Sequence, residues 1–439
     1  MKKLLAYFLL ILSVFSSCKK EDAPAFTQSP DQRINEALSN YQSKLVGAAN
    51  GWKAFIYPKG GGTYFFYFKF NDQNRVKMYS TFDSASAVTA LESSYRLKAL
   101  QQPSLIFDTY SYVQVLADPN EFSPTVRANI NGGPVGTGLS SDFEFYFDST
   151  STDTIRLVGR VNGSKAVLIR ATQQEAASYD NKGLGNGFLI QNLGKYLNYF
   201  KRVTIGGIIY EINVDQFLRT ITFNWVGAGG NLQSFTTSFY YSDSGITFLN
   251  PLVNGSQTIT GFTNLTWNAA TTTLGFSVNG TATTVIGLGQ PLKVDLTAPQ
   301  RWWQYSVSQN DYWLSGRGFH VNGFDDAFNW RSVSGFQYLL FWAKYGTSGG
   351  VTYDLLGPVV NNALNYGAAF RPPTFTPDGR VIFTFFGTLG TVPASANTSF
   401  TNTRLQMAEA NGYYLVQTGP LSYDMVSAKD GKAWITWVF

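Results

Sequence analysis

The 439-residue chain reads as a mainly β protein: an antiparallel meander, barrel-like in the manner of a lipocalin, behind one N-terminal helix and followed by one or two further antiparallel β domains. Three observations predict this. Charged residues are 14% of the chain, against about 25% in an ordinary globular protein, while 35 Phe, 25 Tyr and 42 Gly favour strands and turns over surface helices. Apolar and polar residues alternate with period two in one segment after another. Short turns rich in Gly, Asn and Asp separate those segments.

Residues 1–17 read as an export signal. Lys2 and Lys3 form a basic head, and Leu4 to Phe15 an apolar run, shorter than the roughly 18–20 residues a membrane-spanning helix requires. Ser16 and Ser17 precede Cys18, the one cysteine, in the pattern of a bacterial lipobox, so Cys18 is the expected lipid anchor. Several acyl chains hold a protein to a bilayer where one chain is marginal. Lys19, Lys20, Glu21 and Asp22 follow at once, and residues 18–29, polar and carrying Pro24, suit a short tether. Loss of Lys2 and Lys3 lowers the formal net charge from +5 to +3, a mild balance that selects no partner, and with no basic patch nucleic-acid binding is not expected.

The first β domain spans residues 30–180. Ser29, Pro30 and Gln32 open a helix as capping residue, first-turn proline and back-bonding glutamine; Ile34, Leu38, Tyr41 and Leu45 recur at helical spacing, and Asn50 with Gly51 close it. Eight strands are expected over 52–57, 63–70, 75–82, 95–100, 105–110, 142–148, 154–161 and 165–171, enough to close a small barrel. Phe143, Phe145 and Phe147 alternate with Glu144, Tyr146 and Asp148, and Asn162-Gly163 predicts a tight type I′ hairpin. Thr172 with Glu175 opens a short closing helix.

Within this domain Tyr95-Arg96-Leu97-Lys98, Pro103 to Tyr110, Leu116-Ala117-Asp118-Pro119 and Asp142-Phe143-Glu144-Phe145 resemble the Bacteroidetes lipoprotein family catalogued as domain of unknown function 4302. The resemblance covers residues 18–180 well and the rest loosely. It implies an outer-membrane lipoprotein in the company of SusC-like TonB-dependent transporters, SusD-like binding proteins and a zinc-metallohydrolase-like lipoprotein, while the charged cluster Lys19-Lys20-Glu21-Asp22 resembles the Bacteroidetes signal for the outer face of the outer membrane. It transfers no catalytic residue.

A second β domain is expected over 181–296. Gly183, Gly185 and Gly187 mark a loop, Leu189, Leu193, Leu197 and Phe200 an amphipathic helix, and strands follow near 220–225, 235–241, 258–267, 274–278 and 283–287. Helix-then-strands repeats the order of the first domain, and internal duplication is one reading of it. Residues 297–439 form a Trp-rich β region in which Pro377-Asp378-Gly379 and Asp430-Gly431 are turns and 433–439 is an apolar closing strand.

Chemistry is poorly represented. His320 is the one histidine, so zinc, haem and Ser-His-Asp sites lack ligands or partners, and neither metal nor cofactor is expected. Asp325 and Asp326 are adjacent, which suits a turn better than an acid–nucleophile pair. Asp72 to Asn74 and Asp148 to Asp153 suit hairpin tips, lacking the glycine and spacing of an EF-hand. Trp302, Trp303, Tyr305, Tyr312 and Trp313, beside Gln304, Asn310 and Asp311, form the candidate ligand platform, since sugar rings stack on exposed aromatic faces; core packing at a domain junction is the competing reading and the favoured one. The expectation is a non-catalytic accessory of a SusC/SusD-like uptake system that binds a glycan, peptide or partner protein. A surface glycosidase using a carboxylate pair and a structural or adhesive surface protein are the alternatives.

Overall fold

The computed structural model describes residues 28–119, 138–216 and 218–439. The export signal, Cys18 and the charged cluster after it lie outside the described residues. The protein is built from antiparallel sheets with few helices, as the alternation and turn pattern predict.

Eight strands in sequence order, from Trp52–Tyr57 to Lys165–Arg170, close into a barrel: Trp52–Tyr57 pairs with Tyr64–Phe70 on one side and Lys165–Arg170 on the other. Trp52, Phe66, Phe68, Phe107 and Phe145 fill its interior at 2% exposure or less, so this barrel is a packed core. The helix Pro30–Val46 starts on the expected capping box: the Gln32 amide N–H donates to Ser29 Oγ (3.2 Å) and the Ser29 amide N–H to Gln32 Oε1 (3.0 Å). It ends at Gly47, sooner than Asn50-Gly51 suggests. The helix lays Leu45 and Tyr41 against the barrel interior, Tyr41 stacked on Phe147 at 3.8 Å, and Trp52 Nε1 donates to Leu45 O (2.9 Å).

The connection at Asn162-Gly163 corrects the type I′ prediction. Only Gly163 has positive φ, because the buried Asp142 carboxylate draws the loop around itself: it accepts from the backbone N–H groups of Val161, Asn162 and Ser164 at 2.8–3.0 Å and from the Ser164 hydroxyl at 2.6 Å. Phe143 is exposed as well, just ahead of the strand Glu144–Thr150. The capping box of Thr172 and Glu175 opens the helix Gln173–Asp180 as expected.

The second sheet has nine strands, and its two edges are joined by one segment: Thr281–Thr284 pairs with Thr273–Val278, while Ile286–Leu288 pairs with Phe200–Ile205. Strands Phe200–Ile205, Ile208–Asp215 and Gly245–Asn254 lie outside the expected set. The glycine-rich stretch is a 3-10 helix, Gly183–Lys195, rather than a loop before an α-helix. It presses Leu184, Phe188, Ile190 and Leu193 into the core, and a Cβ on Gly187 would meet Gly245 O at 2.5 Å, so close approach explains that glycine.

Barrel and second sheet share a core. Strand Tyr64–Phe70 is buried on both faces, Phe66 and Phe68 inward, Phe65 and Tyr67 toward the second sheet, which accounts for its nearly unbroken aromatic run. Arg219 crosses this seam. It is 6% exposed, donates to the carbonyls of Thr63 (3.1 Å), Thr81 (2.7 Å) and Phe82 (3.1 Å), and lies over the rings of Tyr64 (4.2 Å) and Tyr241 (5.0 Å).

The third sheet, strands between Trp313 and Val438, packs one face on the helices Ala298–Gln309 and Asn397–Met407. The strand Ala433–Val438 is internal, paired with Ser422–Ser427, Trp313–Ser315 and His320–Val321. Gly379 and Gly431 adopt positive φ at the two expected turns. Tyr199 ties this sheet to the second: its hydroxyl donates to Asp424 Oδ2 (2.6 Å) and its amide N–H to Gly431 O (2.8 Å).

Replacing Arg219 with Met strips three buried carbonyls of their donor and two rings of their cation. We expect a loss of about 2–4 kcal/mol in chemical unfolding, with the barrel and second sheet separating before either melts. An unfolding curve superimposable on wild type would refute that role.

Candidate functional site: an aromatic ribbon on the third sheet

The Trp-rich segment divides between core and surface by local geometry. On the helix Ala298–Gln309, Ala298, Trp302 and Ser306 recur every fourth residue and face the sheet, so Trp302 is fully buried. Trp313 faces the same core from the strand Trp313–Ser315, stacks on Trp302 at 5.9 Å and donates its Nε1 proton to Trp302 O (3.0 Å). Tyr305 closes over Trp313 and Phe439. Trp302 and Trp313 therefore cannot offer a ring face to a ligand, and the platform expected from the sequence is corrected: its centre is core packing, because helix and strand periodicity turn both indoles inward.

Trp303, one residue on, is half-buried. Its Nε1 donates to Asp354 Oδ2 (2.8 Å), whose other oxygen accepts the Lys344 amide N–H (2.7 Å), and the Lys344 ammonium sits 5.4 Å above the Trp303 ring. Asp354 is fully buried, and burial pushes its carboxyl up to about 6 against the two hydrogen bonds and the nearby lysine.

Tyr312 takes the other direction. It stacks on Tyr338 (6.2 Å, 17°), with the two hydroxyls 3.1 Å apart, and lies 5.3 Å from the Trp342 ring. Contacts continue from Trp342 to Tyr345 (5.5 Å), Tyr345 to Tyr353 (6.2 Å) and Tyr353 to Phe386 (6.2 Å), with the Arg371 guanidinium over Phe386 at 5.0 Å. The hydrogen bond from Tyr338, followed by burial, drives the Tyr312 phenol up to about 12.

Strand parity builds this ribbon. Along Phe336–Ser348, Leu339, Phe341 and Ala343 enter the core, which leaves Tyr338 and Trp342 on the outer face. An irregularity in pairing between Trp342 and Gly346, with Lys344 at φ +52°, brings Tyr345 alongside. Gly346 pairs with Tyr353, and a Cβ there would meet the Tyr353 hydroxyl at 2.7 Å, so the ring lies across the glycine. The ribbon crosses the sheet from Trp313–Ser315 to Phe385–Leu389, roughly 19 Å at ordinary strand spacing. Of the expected platform it keeps Tyr312 alone. Tyr338 and Trp342, four residues apart in an apolar run, were visible in the sequence as one strand face; Tyr353 and Phe386 join only through tertiary pairing.

The remaining polar candidates are occupied locally. Asp326, at φ +48°, accepts the amide N–H groups of Trp330 and Arg331 (both 2.9 Å), whereas Asp325 faces Arg317 at 3.4 Å. His320 stacks on Trp434 at 3.8 Å, and burial lowers its pKa, with Asp325 opposing and Lys201 reinforcing the shift. Asp72 to Asn74 and the residues around Asp153 are hairpin tips. Among the described residues no three His, Cys, Asp or Glu side chains converge as a metal site, and no helix is long and apolar enough to cross a membrane.

The buried carboxylate sets a pH dependence. Because folding raises Asp354 from 3.8 to about 6, its ionisation works against the folded state: the contribution is most favourable below pH 4, declines as pH rises to 6 and is level above. Relative to Asp354→Asn, wild type should lose up to about 3 kcal/mol of unfolding free energy between pH 4 and 6.5 in parallel denaturant titrations. Parallel pH profiles for the two proteins would contradict it.

Comparison with known proteins places the chain in a family without assigning chemistry. No curated protein matches it. A DNA polymerase III subunit beta (DnaN) sliding clamp from Bartonella birtlesii LL-WM9 is similar at 7% sequence identity and a TM-score of 0.14, over 91% of this chain and 97% of that one, and at that score the likeness carries no argument. The family model for the domain of unknown function DUF4302 matches residues 22–269, which takes in the barrel and most of the second sheet. Matched over more than half its length, the chain belongs to the DUF4302 family.

Proposed function

We propose that this protein is a lipid-anchored outer-membrane accessory of a SusC/SusD-like nutrient uptake system, facing the cell exterior, that holds a glycan on the aromatic ribbon without turning it over. The observation that carries the binding role is the ribbon itself: six aromatic side chains in successive contact on one outward face, Tyr312, Tyr338, Trp342, Tyr345, Tyr353 and Phe386. Such rings offer apolar faces to the C–H faces of sugar rings, and the four tyrosine hydroxyls offer hydrogen bonds to their edges. A glycan is favoured over a protein partner because these rings, half-buried except for the exposed Tyr345, form a narrow line rather than a broad apolar patch. The anchor rests on Cys18 after a short apolar run, and the outward face on Lys19-Lys20-Glu21-Asp22. The metallohydrolase-like lipoprotein expected beside such systems would supply the chemistry this chain does not.

Two measurements test the reading. In the native host, Cys18→Ala should abolish incorporation of labelled palmitate and move the protein out of the outer-membrane fraction; full labelling of the variant would disprove the anchor. For the full chain in detergent, affinity electrophoresis through gels containing neutral plant or mucin polysaccharides should show retardation by at least one of them. Trp342→Ala combined with Tyr338→Ala should weaken it by roughly tenfold or more, the loss expected for two stacking contacts of about 1 kcal/mol each, while leaving the melting temperature nearly unchanged. Unretarded wild type, or an equally retarded double variant, would defeat the ribbon as a glycan site.

A further inference from the structure

A second feature shares the ribbon's face of the third sheet. Trp434, Thr436 and Val438 point away from the core, and with Leu314, Arg317 and His320 they line an open cleft of about 700 Å³. Leu314 lies directly opposite both Leu340 and Val438, so the cleft and the ribbon face the same way and adjoin, Leu314 being one strand spacing, about 5 Å, from the strand that carries Tyr338 and Trp342. Nothing assigned above uses this cleft.

Its lining is amphipathic. Leu314 and Val438 make an apolar floor, and Trp434 makes a wall, fixed by His320 stacked on it at 3.8 Å and by the Tyr199 ring at 5.4 Å. The nearby carboxylates are mostly committed. Asp424 accepts the Tyr199 and Thr436 hydroxyls, both at 2.6 Å, and Asp326 accepts two backbone N–H groups. Asp325 alone faces the rim, shared between Arg317 at 3.4 Å and Arg331 at 4.0 Å. One carboxylate thus stands against two guanidinium groups, and the Arg317 side chain is 72% exposed. A guanidinium with free N–H groups at the lip of an apolar, aromatic-walled cleft matches a ring that carries one planar acid, since its fork pairs two parallel N–H groups with a carboxylate.

We propose that this cleft binds the carboxylate of an acidic sugar, a uronate, with Arg317 forking the acid and the sugar ring lying over Leu314 and Val438 against Trp434. The choice of a sugar ring rests on the glycan reading of the ribbon; the acid preference rests on the cleft alone. Cleft and ribbon together would then read a polysaccharide that bears uronic acid residues.

His320 makes the test specific, because it is the one histidine in the chain and its imidazole resonance reports on the cleft without interference. The full chain in detergent, labelled at histidine, is titrated with galacturonate and, in parallel, galactose. A saturable shift of the His320 signal with galacturonate, little response to galactose, and at least tenfold weaker galacturonate binding in Arg317→Gln would support the site. No shift with galacturonate, an equal response to galactose, or an undiminished response in Arg317→Gln would overturn it. Trp342→Ala separates the two proposals: the His320 response should persist in that variant even if polysaccharide retention is lost, so a failure of the ribbon is read independently of a failure of the cleft.

Discussion

One buried guanidinium holds the N-terminal half of this molecule in a single arrangement. Among the described residues no carboxylate pairs with Arg219; three main-chain carbonyls of the barrel and two tyrosine faces satisfy it instead. An isolated buried charge costs several kcal/mol, and the arrangement is tolerable only with all these partners in place at once. That requirement selects one docking of barrel on sheet. A purely apolar seam built from Phe65, Tyr67, Phe188 and Tyr241 would permit sliding, whereas the directional bonds of Arg219 do not. The double-sided burial of Tyr64–Phe70 follows from the same docking.

In the third sheet the governing constraint is parity. Aromatic residues are plentiful there, and whether a given ring stabilises the fold or faces solvent depends on one step along a strand or about 100° around a helix. Trp302 and Trp303 are adjacent and have different surroundings, one stacked on Trp313 in the core and one bonded to Asp354 beneath a lysine. Tyr312 and Trp313 divide in the same way. The core took Trp302, Trp313, Trp330 and Trp437, and the outer face kept Trp342 and Trp434 among tyrosines, whose hydroxyls tolerate water.

Locally determined features were legible in the sequence. Both capping boxes form because their partners lie three residues apart, and the eight barrel strands follow from alternation and short turns. Misreadings arose where a distant group intervened. Asp142, some twenty residues away, takes over the N–H groups of the loop at Asn162-Gly163, and Gly187 is pressed against the carbonyl of Gly245. The strands flanking Gly206-Gly207 were missed although both glycines adopt the positive φ of a tight hairpin, a signal present in the dipeptide itself. The aromatic platform was misplaced because the order of residues identifies rings, and only pairing between strands shows which of them meet.

The internal position of Ala433–Val438 has a bearing on how the molecule is made. Val438 sits opposite Leu314, so the middle of this sheet stays open until a segment well over a hundred residues downstream has arrived. Pairing across so long a loop is slow, and until it happens Trp437 and Ile435 have no core to enter. During synthesis the barrel can fold from its own neighbouring strands, while the apolar halves of this sheet stay uncovered until the strand Ala433–Val438 slots between them.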